Sequence, residues 1–252
     1  MSAEITVLPE LKAYIDPLTP DEHDALERSI LAEGCRDALV LWGNILVDGH
    51  NRYGICQKHG LPFQTVQNTQ FESMEDVHLW MIDQHLGRRS VSDFQRGVLA
   101  LRKREIIAQR RATAATAVQQ ATQHDAADDP TQASQAALAS VPKVPDQALD
   151  TREALARAAR LSPAQVKHIE TIQEKAAPEL VAAIKNGELS LSTAAVLAKL
   201  PVAEQQTAAQ DGAQGLKEAA KRIRQAQKVA RQEKASQAHN PAEHGDAAPH
   251  AP

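Results

Sequence analysis

The chain's apolar positions fall into short runs, each closed by a helix cap, a turn or a proline. Thr19-Pro20-Asp21-Glu22 is a helix start, with Thr as N-cap, Pro at the first helical position and Glu placed to reach back from the third. Leu26, Ile30 and Leu31 follow at helical spacing, and Gly34 is placed to end that helix. Ala38–Val47 reads as a hairpin. Its apolar runs Leu39–Trp42 and Ile45–Val47 flank Gly43-Asn44, two residues that both tolerate positive φ. After Asp48-Gly49 the pattern predicts a short helix through Arg52, Tyr53 and Ile55 to Gly60, then a short strand over Phe63–Gln67. Ser73 with Asp76 opens a helix containing Val77, Trp80, Met81 and Ile82, closed by Gly87. Ser92 with Gln95 opens another, expected to run to about Arg111.

From Ala112 to about residue 149 the chain is mostly Ala, Gln, Thr and Asp with Pro130, Pro142 and Pro145. It offers no apolar stripe to bury and reads as a flexible linker, helical in part at its start. Periodicity then resumes. Asp150 with Glu153 is read as the cap of a helix with Leu155, Ala158 and Ala159 on its apolar face, and Arg160-Leu161 makes a turn. Ser162-Pro163-Ala164-Gln165 supplies N-cap, N1 proline and N3 glutamine for a second helix. Spacings of three put Val166, Ile169 and Ile172 on its inner side, leaving Ala164, Lys167, His168 and Thr171 outside. Pro178 starts a further helix and Ser190 or Ser192 caps the next, and a basic helix carries Lys217, Lys221, Arg222, Arg224, Lys228 and Arg231. The tail, with His239, His244 and His250 among Pro, Gly and Ala, reads as disordered.

The predicted fold class is therefore an α+β N-terminal domain, a small mixed sheet with helices, followed by an all-α helix-turn-helix domain. The expected divisions are 1–111 for the first domain, 112–149 for the linker and 150–202 for the helix-turn-helix. A basic helix over 203–234 and a disordered tail over 235–252 complete the chain.

Composition limits the function classes. No run approaches the roughly 18 consecutive apolar residues of a membrane span, and the N-terminus lacks a signal-peptide layout. Cys35 and Cys56 are the only cysteines. Together these point to the reducing cytoplasm. Aromatics are 3% of residues, so the cores must be aliphatic. A net charge of −4 excludes a basic coat, but the excess of acid sits in residues 1–100, with 15 Asp/Glu against 8 Lys/Arg. A local basic face further along can still meet phosphate.

The second helix after Ser162 has what a recognition helix needs: small residues at its start, polar side chains outward and free N–H groups at its N-terminus. The candidate DNA contacts are Ser162, Gln165, Lys167, His168 and Thr171. Gln165 suits phosphate or adenine, and Lys167 suits phosphate or guanine. An ordinary helical hairpin with a solvated outer face is the competing reading of these residues alone.

Longer motifs carry a family resemblance. Leu18–Ile30, the hairpin, Val47-Asp48-Gly49-His50-Asn51-Arg52-Tyr53 and Gln84–Arg89 resemble the ParB/sulfiredoxin-like N-terminal domain, in the DGHNRY-type branch met on plasmids, phages and integrative elements. Ala154–Ile172, Pro178-Glu179-Leu180 and Asn186–Ser190 resemble the helix-turn-helix domain of ParB and KorB proteins. The resemblance covers roughly residues 4–110 and 150–202.

The resemblance implies a site-specific binder of double-stranded DNA, acting as a homodimer in partition, replication control or transcription, with a Walker-type ATPase as a further partner. It also implies a pocket for CTP or another nucleotide, which in partition proteins joins a Gly-Glu-Arg-Arg box to an Asn-x-x-Arg box around magnesium. Here Gly49, His50, Asn51 and Arg52 occupy the first box and His85-Leu86-Gly87-Arg88 the second, so the candidate nucleotide residues are Gly49, His50, Asn51, Arg52, Arg88 and Arg89. His50 stands where the acidic metal ligand belongs, and magnesium prefers oxygen, so metal-assisted hydrolysis is not expected. No catalytic residue and no metal ligand is assigned. His50 also replaces the cysteine nucleophile of sulfiredoxin. Two other readings stay open: a nucleotide hydrolase or nuclease using Asp48, His50 and His85, and an adaptor to a partition ATPase. Structural ion pairs of Arg52 and Arg88 with Asp48 or Asp83 are the alternative to ligand binding.

Overall fold

The computed structural model describes residues 4–14, 17–88, 91–124 and 149–238. Two compact units divide between Lys167 and His168. Arg89, residues 125–148 of the expected linker, and residues 239–252 with the three tail histidines lie outside the described residues.

The first unit begins with a short helix, α1 (Pro9–Lys12), which carries too few residues to show a period. Next comes α2 (Pro20–Glu33), whose Thr19 and Glu22 form the reciprocal capping box expected of them. Strands β1 (Leu39–Trp42) and β2 (Ile45–Asp48) pair antiparallel through the Gly43-Asn44 turn, with Trp42 opposite Ile45. Then α3 (His50–His59) leads to β3 (Thr65–Gln67), which lies parallel to β1. The order β2-β1-β3 is thus a small mixed sheet, and a one-residue irregularity interrupts the β1–β2 register at Val40/Leu41. A parallel neighbour needs a crossover, and α3 supplies it.

The capped helix α4 (Met74–Gly87) packs on β2, and α5 (Asp93–His124) packs on α4. Val47, Val77, Met81, Ile82, Leu86 and Leu99 are buried together. Ile30, Ile55 and Cys56 fill a second cluster, so Cys56 is a packed residue. The helix α5 runs 13 residues past Arg111, because alanine and glutamine favour helix even without an apolar stripe. No helix among the described residues is long and apolar enough to cross a membrane.

Helix α6 (Arg152–Ala159) packs on α5, with Arg111 paired to Asp150 at 3.1 Å. Its N-cap is Thr151, whose hydroxyl accepts the Ala154 N–H at 3.2 Å. Asp150, expected in that role, instead faces Arg111. The unbroken helix α7 (Pro163–Lys175) crosses the division of the chain. That division falls beyond the compositional linker, since the residues packing α6 against α5 tie it to the first unit.

The second unit continues with α8 (Pro178–Lys185), α9 (Leu191–Leu197), α10 (Val202–Gln210) and α11 (Gly212–Ala238). Both α9 and α10 pack on α11, and Leu180, Leu197 and Leu216 are fully buried. Where one basic helix is expected over 203–234, two helices form. The break is at Gly212, whose φ is +66°. The side-chain amide of Gln205, fully buried, satisfies three backbone groups at helix ends: its oxygen accepts the Ala177 N–H at 2.8 Å, and its nitrogen donates to the carbonyls of Lys175 at 3.0 Å and Leu200 at 2.8 Å.

Candidate functional site

The turn between α6 and α7 is defined by backbone chemistry. Arg160 has φ 55° and ψ 44°, and it is the one non-glycine with positive φ among the described residues. The Leu161 N–H reaches back to the Ala156 carbonyl at 2.8 Å, and the Arg160 N–H bonds the Arg157 carbonyl at 3.2 Å. This six-to-one closure ends α6 in the manner usually given to glycine. Two residues later a new helix starts. The Ser162 hydroxyl accepts the Gln165 N–H at 3.2 Å, and Gln165 Oε1 accepts the Ser162 N–H at 2.9 Å.

Burial divides α7 as its spacing demands. Val166, Ile169 and Ile172 are at most 1% exposed, while Ser162, Pro163, Ala164 and Lys167 are exposed. His168 and Thr171 are half-buried. Gln165 is also half-buried, and both ends of its amide are engaged: Oε1 in the cap and Nε2 with Asp93, at 3.0 Å. Of the five expected DNA contacts, Gln165 therefore has a structural role, and Ser162 serves as its capping partner.

The second cluster lies entirely in the first unit, where β2 turns into α3. Gly49 is the N-cap of α3 with φ 96°, and a Cβ there would lie 2.5 Å from Leu39 Cδ2 and 3.2 Å from an Arg52 terminal nitrogen. Only glycine fits both the dihedral and the space. One turn into α3, Arg52 approaches Asp48 at 3.6 Å and donates to the Ala38 carbonyl at 3.4 Å. From the end of α4, Arg88 donates to the other oxygen of Asp48 at 3.1 Å. The two boxes, 36 residues apart between Arg52 and Arg88, thus meet on one carboxylate. Asp83 pairs elsewhere, with Lys103 at 2.7 Å.

Two imidazoles complete the cluster. His85 is 2% exposed, and burial together with the Arg88 charge brings its pKa down to about 4. Burial lowers that of His50 too, against the pull of Asp48 and with help from Lys12 on α1. Both rings are neutral at pH 7. Nδ1 of His85, Nε of Arg52 and one nitrogen of the His50 ring are buried without a hydrogen-bond partner, the other His50 nitrogen being turned to the Leu46 backbone. Buried polar atoms without partners are rare and call for an explanation.

Every unpartnered atom here is a nitrogen, and each of the three side chains can present an N–H. The cluster therefore suits an anion. It does not suit magnesium, which demands oxygen ligands. Asp48 is the carboxylate at this point and is already held by two guanidinium groups. Asn51 is half-buried on the first turn of α3, and Arg89 lies outside the described residues. Lys12 has no signal in the sequence because a four-residue helix leaves no period.

The sequence matches no protein-family model and no curated protein. Among solved structures, the chain is similar to a pNOB8-like ParB N-domain in its C2221 crystal form, at 16% identity and a TM-score of 0.47, covering 82% of this chain and 78% of that one. A second structure of a pNOB8-like ParB N-domain matches at 16% identity and 0.45, over 83% and 73%. The C-terminally truncated chromosome-partitioning protein ParB from Caulobacter crescentus, complexed to the centromeric parS site, matches at 12% identity and 0.41, over 88% and 95%.

Proposed function

We propose that this chain is a site-specific DNA-binding protein of the ParB type, acting in partition, replication control or transcription of a plasmid or other mobile element. The observation that carries the reading is the α6–turn–α7 arrangement, with Val166, Ile169 and Ile172 buried and the start of α7 exposed. In this reading the first turn of α7 enters the major groove, where Pro163 and Ala164 let the backbone approach the duplex. Lys167 donates to phosphate or to guanine, and His168 and Thr171 contact base edges or backbone beside it. Two copies of the chain place two such helices on paired half-sites, and a Walker-type ATPase is the natural partner if the role is partition. A cytoplasmic protein associated with nucleoid or plasmid DNA follows from the same reading.

The test is duplex binding by the full chain and by Lys167→Ala/Thr171→Ala. The reading predicts a preferred sequence whose affinity falls by about tenfold or more in the double variant, for two lost contacts of about 1–3 kcal/mol each. Equal affinity for every duplex, unchanged by the substitutions, would remove it.

A nucleotide pocket in the first unit is the second element of the proposal, supported by the unpartnered buried nitrogens of His50, Arg52 and His85. CTP or a related nucleotide would set its phosphates against Arg52, Arg88 and the imidazole N–H groups at the start of α3. Since the donors do not suit magnesium, no metal-assisted step is assigned and the pocket is read as a binding site without turnover.

A further inference from the structure

The basic residues of α11 are not scattered. At about 100° per residue, Lys217, Lys221, Arg224, Lys228 and Arg231 fall within about 80° of one another, on one stripe some 21 Å long. All five are exposed. The buried residues of the same helix, Leu216, Ala219 and Ala220, are centred about 100° round from the stripe, with Ala220 next to its edge. After Ile223 every described side chain through Gln232 is exposed, so the stripe runs beyond the part of α11 that packs on α9 and α10. Over Gly212–Gln232 six cations face one acid, Glu218, in a chain whose net charge is −4. Arg224 donates to Thr193 at 3.0 Å, and none of the five cations makes an ion pair among the described residues.

This layout does not favour an isolated helix. Neighbours at i, i+3 and i, i+4 repel along the whole stripe, whereas a helix adapted only to solvent intersperses glutamate at those spacings. A row of cations about one helical turn apart matches a linear polyanion.

We propose that α11 is a second duplex-binding element, a stripe that lies along the phosphate backbone without regard to base sequence. This rests on the DNA-binding reading above but uses a different surface. Through it the chain holds any duplex weakly, and α7 selects among the sequences so presented.

Counterion release makes the proposal measurable. Each phosphate neutralised steepens the plot of log Kobs against log salt by about 0.9. The full chain is titrated with a random-sequence duplex over a range of salt, beside Lys221→Gln/Lys228→Gln/Arg231→Gln and the charge-preserving Lys221→Arg/Lys228→Arg. The glutamine variant is expected to lose about 2.7 from the slope, and the arginine variant to keep it. Thermal melting of each variant confirms that the helix remains folded. An unchanged slope in the glutamine variant overturns the proposal. So does a change of oligomeric state in that variant at constant slope, which would make the stripe a contact between copies of the chain. If the slope falls as expected but no duplex sequence is ever preferred, the stripe stands and the α7 reading fails. The reverse result separates them the other way.

Discussion

Gln165 Nε2 donates to Asp93 Oδ2 at 3.0 Å, joining the first turn of α7 to the first turn of α5 across 72 residues of sequence. The other end of the same amide closes the Ser162 cap, so a single side chain sets the start of α7 and ties its first turn to α5. Asp93 is held in turn by Arg96. The residue that reads as a DNA contact in the sequence thus fixes the first turn of its own helix.

Replacing Gln165 by alanine removes half of the capping box and the link to Asp93. The expected loss is about 1–2 kcal/mol of stability, measured by urea unfolding. Sequence preference on DNA should survive among molecules that remain folded. A variant of unchanged stability that has lost its preference would show Gln165 contacting phosphate or adenine directly.

Arg160 occupies the left-handed region, where a Cβ is unfavourable. Arg160→Gly relieves that conflict, although glycine also loosens the unfolded chain. We expect a net gain of up to about 1 kcal/mol, seen as a higher melting temperature. A lower one would show that the arginine side chain holds the turn by contacts of its own.

His85 makes stability depend on pH. Its pKa is near 6.5 when unfolded and about 4 when folded, so between these values the unfolded chain binds more protons. Its contribution is complete above about pH 6.5 and is lost as pH falls towards about 4, amounting to up to about 3 kcal/mol. His50 shifts in the same direction and adds to the trend. Urea unfolding at about pH 7 and about pH 5 should show a smaller pH difference for His85→Leu than for the unaltered chain. An identical difference in both would locate the acid sensitivity elsewhere.

Calorimetric titration with CTP tests the anion cluster. Binding should persist in EDTA, because the donors are nitrogen atoms, and Arg52→Ala should weaken it by about tenfold or more. If CTP binds only when magnesium is added, the metal-free pocket is wrong.

Local signals made much of this structure legible beforehand. The caps at Thr19, Ser73, Ser92 and Ser162, and the turn at Gly43-Asn44, each follow from side-chain reach or backbone freedom within four residues, and each forms; between Ser190 and Ser192, Ser190 is the cap. What was not legible depends on distant partners. Gln205 reads as one more polar residue in an Ala/Gln-rich stretch, yet it is fully buried because three backbone groups from two other segments converge on it. Thr151 rather than Asp150 caps α6 because Asp150 is drawn to Arg111 on α5. Asp48 and Asp83 are both candidate partners of Arg52 and Arg88 in the sequence; that both arginines take Asp48 depends on α4 packing against β2, with Asp83 drawn to Lys103.

The central claim is that α7 reads a DNA sequence, and selection from a random duplex pool addresses it most directly. The unaltered chain should enrich one short motif, repeated if two copies bind together, and Lys167→Ala/Thr171→Ala should enrich none or a degenerate form. A pool that stays random with the unaltered chain, or the same motif from both proteins, would contradict the account.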